Sequence, residues 1–285
     1  MITPFTAHGD VDYDGLCQNI HFQGEQGVSG IVILGTTGET PTLSPEEKTQ
    51  IITLAVKESK IPVMVGTGTP STRQTIINTQ QAQDLGADFA LIVTPYYNNP
   101  TQEGIYQHFK AITDATNIPI IVYNIPSRCG QNIKTPTLAR IASLPNIIGV
   151  KEASGNIAQV TDVIKTLGDD FLVFSGDDAL TLPIISLGGD GVISVISNLV
   201  PEKVVAMVDA MFNEHLSEAQ QCFYELLPLI RAAFIETNPI PIKEAMNLCG
   251  MPTGICRLPL CNMNGEHKQV LIDTLSTMKL LPSVV

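Results

Sequence analysis

The sequence predicts an α/β fold: a (β/α)8 TIM barrel over residues 1–215 with a C-terminal helical extension over residues 216–285. Three observations carry that reading. Short β-branched apolar runs recur at near-regular spacing, each closing in small or polar residues and each followed by a helix-like segment. Such continuous runs suit strands covered on both faces, the condition of a parallel sheet. The chain has 285 residues and is 44% hydrophobic, ample for a closed barrel, which runs to about 250 residues in one domain.

The runs are 30–34, 61–65, 89–94, 118–123, 147–151, 171–175 and 191–196. Closing a barrel of eight strands requires one more. Met1-Ile2-Thr3-Pro4 is the candidate, a stub or the end of a longer first strand. Helix starts are readable between the runs. Ser44-Pro45-Glu46-Glu47 is a capping box with proline at the first helical position, and Ser71-Thr72-Arg73-Gln74 is a second start signal. Gly27 and Gly86 stand where helices should end. After Asn198 only helical patterns remain, at 201–215, 216–237, 242–248 and 266–280. An open doubly wound sheet is the rival, but the Gly-rich dinucleotide turn that fold normally carries is missing.

Composition narrows the function. A net charge of −12 opposes binding to a phosphate backbone. No apolar run reaches the roughly 18 residues of a spanning helix, and no basic-then-apolar leader is present. The six cysteines form no CxxC pair, and Cys249, Cys256 and Cys261 have no histidine at zinc-ligand spacing. The expectation is a cytoplasmic, globular protein with reduced thiols.

In a barrel, chemistry gathers at the C-terminal ends of the strands. Lys151 closes the run Ile147–Val150, so an apolar surround should lower its pKa and free a nucleophilic amine. The competing reading is an ion pair with Glu152. Thr36 and Thr37 lie in a glycine-flanked turn suited to a carboxylate or a phosphate. Tyr123 is a strand-end phenol, able to relay a proton or simply to pack. Arg128 offers a planar fork to a carboxylate, or a surface ion pair. Tyr96-Tyr97 could equally be an interface pair. Asp177 and Asp178 read as helix caps, with a magnesium site as the minority alternative. Together the set suits imine chemistry on an α-keto acid.

Taken in order, Gly35–Glu39, Thr94–Asn98, Gln102–Phe109, Tyr123–Arg128, Ile147–Gly155, Ser175–Asp178, Leu187–Val195 and Asn238–Lys243 span nearly the whole chain. They closely resemble the dihydrodipicolinate synthase branch of the pyruvate-dependent class I aldolase family. Tyr123-Asn124-Ile125-Pro126-Ser127-Arg128 points to this branch, because the related sialic acid lyases lack the Ser-Arg pair. The resemblance implies a lyase of lysine and diaminopimelate biosynthesis in which Lys151 forms a Schiff base with pyruvate. It implies that Thr37, Gly176 and the Ile193 backbone hold pyruvate. Tyr123 would be the acid/base, linked through Thr36 to Tyr97 of a neighbouring subunit, and Arg128 would bind the carboxylate of L-aspartate 4-semialdehyde. It further implies a homodimer or homotetramer, with no metal and no organic cofactor. Other pyruvate aldolases are the near alternative. A non-catalytic keto-acid sensor would have no use for a proton relay.

Three departures stand out. The family usually carries more residues before Thr3-Pro4. Cys129 replaces a more usual threonine, which suggests an inert packed thiol. Where lysine-inhibited members bind feedback lysine, this chain has Lys48, Pro70 and Gln74 with Tyr96 retained. Lys48 would repel the lysine ammonium, which implies weak or absent inhibition.

Overall fold

The structure, a computed structural model, describes residues 1–282. It divides into two compact units, residues 1–61 with 194–285, and residues 62–193. The first unit opens with α1 (Tyr13–Glu25), β1 (Ile31–Ile33) and α2 (Pro45–Glu58). The second alternates strand and helix: β2 (Val63–Gly66), α3 (Thr72–Asp84), β3 (Phe89–Val93), α4 (Gln102–Thr113) and β4 (Ile120–Asn124). It continues with α5 (Pro126–Cys129), α6 (Thr135–Ala142), β5 (Ile147–Glu152), α7 (Ile157–Leu167), β6 (Leu172–Ser175), α8 (Thr181–Ser186) and β7 (Gly191–Val192). The chain then returns to the first unit with α9 (Pro201–Phe212), α10 (Leu216–Ala233), α11 (Ile240–Leu248) and α12 (Gly265–Thr277).

In the second unit β2 to β7 pair in consecutive order, every pair parallel. Parallel neighbours need a crossover, and a helix supplies it. The apolar runs explain the layering. Ala90, Ile92, Ile120, Val122, Val150 and Val173 face Ile105, Phe109, Ile112, Leu138, Ile141, Val160 and Val163 of the covering helices in one buried cluster. In the first unit α10 packs against α9 and α12, burying Leu226, Leu229, Ile230, Val204, Met207, Leu271 and Leu275.

The start signals act as the sequence predicts. Ser44 Oγ accepts from Glu47 N while the Glu47 carboxylate accepts from Ser44 N, a closed capping box. Ser71 caps α3 from one side only, because the Gln74 amide turns outward to Asn78. Gly27 and Gly86 follow α1 and α3 with positive φ.

Two strand expectations are corrected. The run 191–196 pairs only over Gly191–Val192, after which the chain turns into a short 3-10 segment at Ile196–Asn198. Ser194 Oγ accepts from Ser197 N and Asn198 Nδ2 donates to Val195 O, local bonds that draw the backbone out of the ladder. Met1–Pro4 forms no ladder. Its Met1 amine donates to Val32 O of β1, and Ile2 and Thr3 are buried. Among the described residues no helix is long and apolar enough to cross a membrane.

Candidate active site

The ends of β4 and β5 set the geometry. A shift of register after Ile120 places Tyr123 opposite Lys151 and Asn124 opposite Glu152. Successive strand residues face opposite sides, so lysine and glutamate diverge. Lys151 Nζ lies 4.4 Å from the centre of the Tyr123 ring. On the other side the buried Glu152 accepts from Asn124 Nδ2 at 3.2 and 3.1 Å and from Ser154 N at 2.7 Å. Asn124 also donates to Asn132 Oδ1 and accepts from Ile133 N. Glu152 is thus a structural anchor for the loop after β5, which removes the ion-pair reading of Lys151.

Desolvation is the main influence on the Lys151 amine and pulls its pKa from 10.5 down to about 8. Arg128 pushes the same way, and Asp178 opposes it. Gly176 forms one wall. A Cβ there would lie 2.8 Å from Ala153 Cβ and 3.1 Å from Cγ and Cε of Lys151, so only glycine admits the lysine shaft in this position. Below it, a Cβ at Gly149 would come within 2.6 Å of Leu172 O, so the strands approach too closely for any side chain. The Gly176 amide donates to Glu152 O and the Ile193 amide to Ser175 O. Both amides are thereby occupied, so any hydrogen bond of these two residues to a ligand falls to their carbonyls.

Arg128 is exposed on the short turn α5, which ends at Gly130 with φ 69°. Its neighbour Cys129 is buried, and desolvation pushes its thiol up to about 11, the behaviour of an inert packed cysteine. Asp177 caps the next turn by accepting from Ala179 N, as the sequence suggests, while Asp178 is buried within electrostatic reach of Lys151. Thr94 fixes the backbone of Tyr123, donating to its carbonyl from both N and Oγ1 at 3.1 Å. Tyr97 behaves differently. It is 96% exposed and held at φ 71°, a left-handed conformation that a bulky residue adopts only under constraint.

Thr36 and Thr37 belong to the first unit, in a turn closed by Gly38 N to Gly35 O and Glu39 N to Thr36 O. Thr37 Oγ1 accepts from Asn238 Nδ2 at 2.9 Å. Below the turn, Glu39 is fully buried and takes Lys243 Nζ at 2.7 Å and Arg257 N at 2.9 Å. Lys243 also donates to Thr3 O and Ile255 O. Sequence reasoning assigned these residues no part in supporting the turn. The available signal was a lone lysine in the apolar stretch Ile240-Pro241-Ile242-Lys243. The contrast between the two buried lysines matters. Both ammonium nitrogens lie 4.4 Å from an aromatic ring centre, Lys243 over Phe5 and Lys151 over Tyr123, and desolvation lowers the pKa of both. But Lys243 is bonded to the Glu39 carboxylate and two carbonyls, a network that favours its charged form.

Residues 1–278 match the family model described as the dihydrodipicolinate synthetase family. The chain belongs to that family. A 4-hydroxy-tetrahydrodipicolinate synthase of Protochlamydia amoebophila is 53% identical over 98% of this chain and 94% of its own length. The crystal structure of a dihydrodipicolinate synthase from Aquifex aeolicus superposes with TM-score 0.97 at 42% identity, covering 99% of this chain and 97% of that one. A chloride-inhibited dihydrodipicolinate synthase from Acinetobacter baumannii, described as complexed with pyruvate, gives TM-score 0.96 at 39% identity over 99% and 97%. Membership in the dihydrodipicolinate synthetase family makes the chain a lyase, and likeness at this level gives it the (β/α)8-barrel class with C-terminal helices.

Proposed function

We propose that this protein condenses pyruvate, held as a Schiff base on Lys151, with L-aspartate 4-semialdehyde, as a 4-hydroxy-tetrahydrodipicolinate synthase. One observation carries the chemistry: an amine at a strand end, desolvated to a pKa of about 8 and set against Tyr123. The relatives carry the identity of the reaction. At pH 7 roughly a tenth of such an amine is neutral, against less than a thousandth of an ordinary lysine.

In this reading the neutral amine attacks the pyruvate ketone, water leaves, and the iminium loses a methyl proton to give an enamine. The enamine carbon attacks the aldehyde, and the adduct cyclises with release of the lysine. Tyr123, Thr36 and the partner's Tyr97 move the protons. Thr37, Gly176 and the Ile193 backbone hold pyruvate. Arg128 binds the carboxylate of the aldehyde substrate. The extreme exposure of Tyr97 supports a role completed by self-association, as a homodimer or homotetramer. No metal or organic cofactor enters this scheme. Residues 1–215 serve as the barrel and 216–285, of which 283–285 lie outside the described residues, as its C-terminal helical extension, in a cytoplasmic enzyme of lysine biosynthesis. Lys48 and Gln74 make feedback inhibition by L-lysine weak or absent, and half-inhibition at micromolar L-lysine would contradict that.

Borohydride reduction with pyruvate present, followed by mass mapping, tests the central step. The expected result is a pyruvate-derived adduct on Lys151 that Lys151→Ala abolishes. An adduct on Lys243 or none at all overturns the proposal.

A further inference from the structure

We propose that Cys17, His21 and Glu58, on the first unit, bind a borderline-soft divalent cation such as Zn2+. Cys17 and His21 are four residues apart on α1, which puts them on one face of the helix. Glu58 is the last residue of α2, which packs against α1. Cys17 Sγ lies 3.8 Å from His21 Nε2, which lies 3.3 Å from Glu58 Oε2, and the three donor atoms all fall within 4.8 Å of one another.

Those separations suit a tetrahedral ion. With bonds of about 2.3 Å to sulfur and about 2.0 Å to nitrogen and oxygen, tetrahedral angles place S and N about 3.5 Å apart and N and O about 3.3 Å apart. The nitrogen–oxygen edge already matches, and the sulfur–nitrogen edge closes with a shift of about 0.3 Å. The sulfur–oxygen edge, within 4.8 Å, closes by a side-chain movement of at most about 1.3 Å. With no ion bound, the Cys17 thiol and the His21 ring both direct a proton at the Glu58 carboxylate, so the three groups already converge, and an ion would enter by displacing those protons. A central cation satisfies all three donors at once.

Lys57 pairs with the other carboxylate oxygen, Glu58 Oε1, at 3.0 Å, so Oε2 stays directed at the cluster. The site lies at the surface, with His21 exposed and Cys17 half-buried, which leaves a fourth position for water. The net charge of −12 favours cation capture further. A bound ion would tie α1 to the C-terminal end of α2. The pair of ligands on α1 was present in the sequence as Cys-x-x-x-His, but the third came only from the packing of the two helices.

The test uses the full-length, chelator-stripped protein under reducing conditions. Titration with Zn2+ by calorimetry and with Co2+ by absorption should show one equivalent bound at about 10 µM or below, with a thiolate-to-cobalt charge-transfer band. Cys17→Ser should remove that band and weaken Zn2+ by at least about tenfold, as should His21→Ala and Glu58→Gln. Zn2+ should raise the Tm of the parent but not of these variants, whose folding is checked by circular dichroism. Absence of stoichiometric binding would overturn the site. So would binding that survives Cys17→Ser, or that is lost instead in Cys249→Ser.

Discussion

An amine attacks a ketone only while it carries no proton, so the environment of Lys151 should be visible in the pH dependence of turnover. Burial lowers its pKa to about 8. The reactive form therefore grows tenfold per pH unit below that value and levels off above it. We expect kcat/KM for pyruvate to rise with unit slope toward pH 8 and then flatten. A profile flat from pH 6 to 9 would mean that another group sets the step. Asp178 opposes the desolvation, so Asp178→Asn should move the inflection to lower pH. Arg128 acts through charge in two ways. Arg128→Ala removes a cation that depresses Lys151 and, in the proposed reaction, the partner of the aldehyde carboxylate. The second effect dominates in KM: use of L-aspartate 4-semialdehyde should fall about a hundredfold, while a small aldehyde without a carboxylate changes by only a few-fold. Equal losses for both aldehydes would remove Arg128 from substrate selection. Lys151 and Arg128 stand out in sequence because one closes an apolar run and the other lies on the loop that follows one. Asp178 reads there as a helix cap, and its reach to Lys151 comes from the fold. The fate of Glu152 is not legible either, since alternation along β5 places it opposite Lys151 but names no partner for it; Asn124 and the Ser154 amide come from the fold.

At the level of elements, the same contrast separates local from distant signals. Helix starts follow from a side chain three residues from the amide it caps, and Ser44, Ser71 and the helices after residue 200 lie where the sequence predicts them. The last strand is shorter than its apolar run because Ser194 and Asn198 offer the backbone other partners, a competition that hydrophobicity alone cannot register. The Glu39–Lys243 pair spans 204 residues, beyond any local pattern. Its burial makes it a stability determinant for the threonine turn. Lys243→Met would leave Glu39 with Arg257 N as its remaining partner in a dry interior, and should cost about 3–5 kcal/mol. Urea unfolding measures this, and a loss under about 1 kcal/mol would show that water or a rotated side chain replaces the ammonium. The Glu39→Gln, Lys243→Met double variant should recover part of the loss, since a neutral amide is less costly to bury than an unpaired carboxylate.

For the whole molecule, the sequence pointed to barrel class and family, because β–α repetition and strand-end motifs run the full length of the chain. How copies combine is written in no single motif. Tyr97 gives the sharpest handle: a tyrosine 96% exposed, in a left-handed backbone conformation, gains nothing for its own chain from that placement. If it completes the site of a partner, two inactive variants should repair each other. Lys151→Ala lacks the proposed nucleophile but keeps Tyr97, and Tyr97→Phe keeps Lys151. In a hybrid pair, one of the two sites holds both intact groups. Random reassortment makes half of the pairs hybrid, so a mixed preparation should recover about a quarter of parent activity. The partners must be unfolded and refolded together, or diluted below their dissociation constant, with hybrids counted by native mass spectrometry. Refolding the two separately and then mixing them supplies the control. Abundant hybrids without recovery would place Tyr97 outside the proton path, and full activity in Tyr97→Phe alone would do the same more directly.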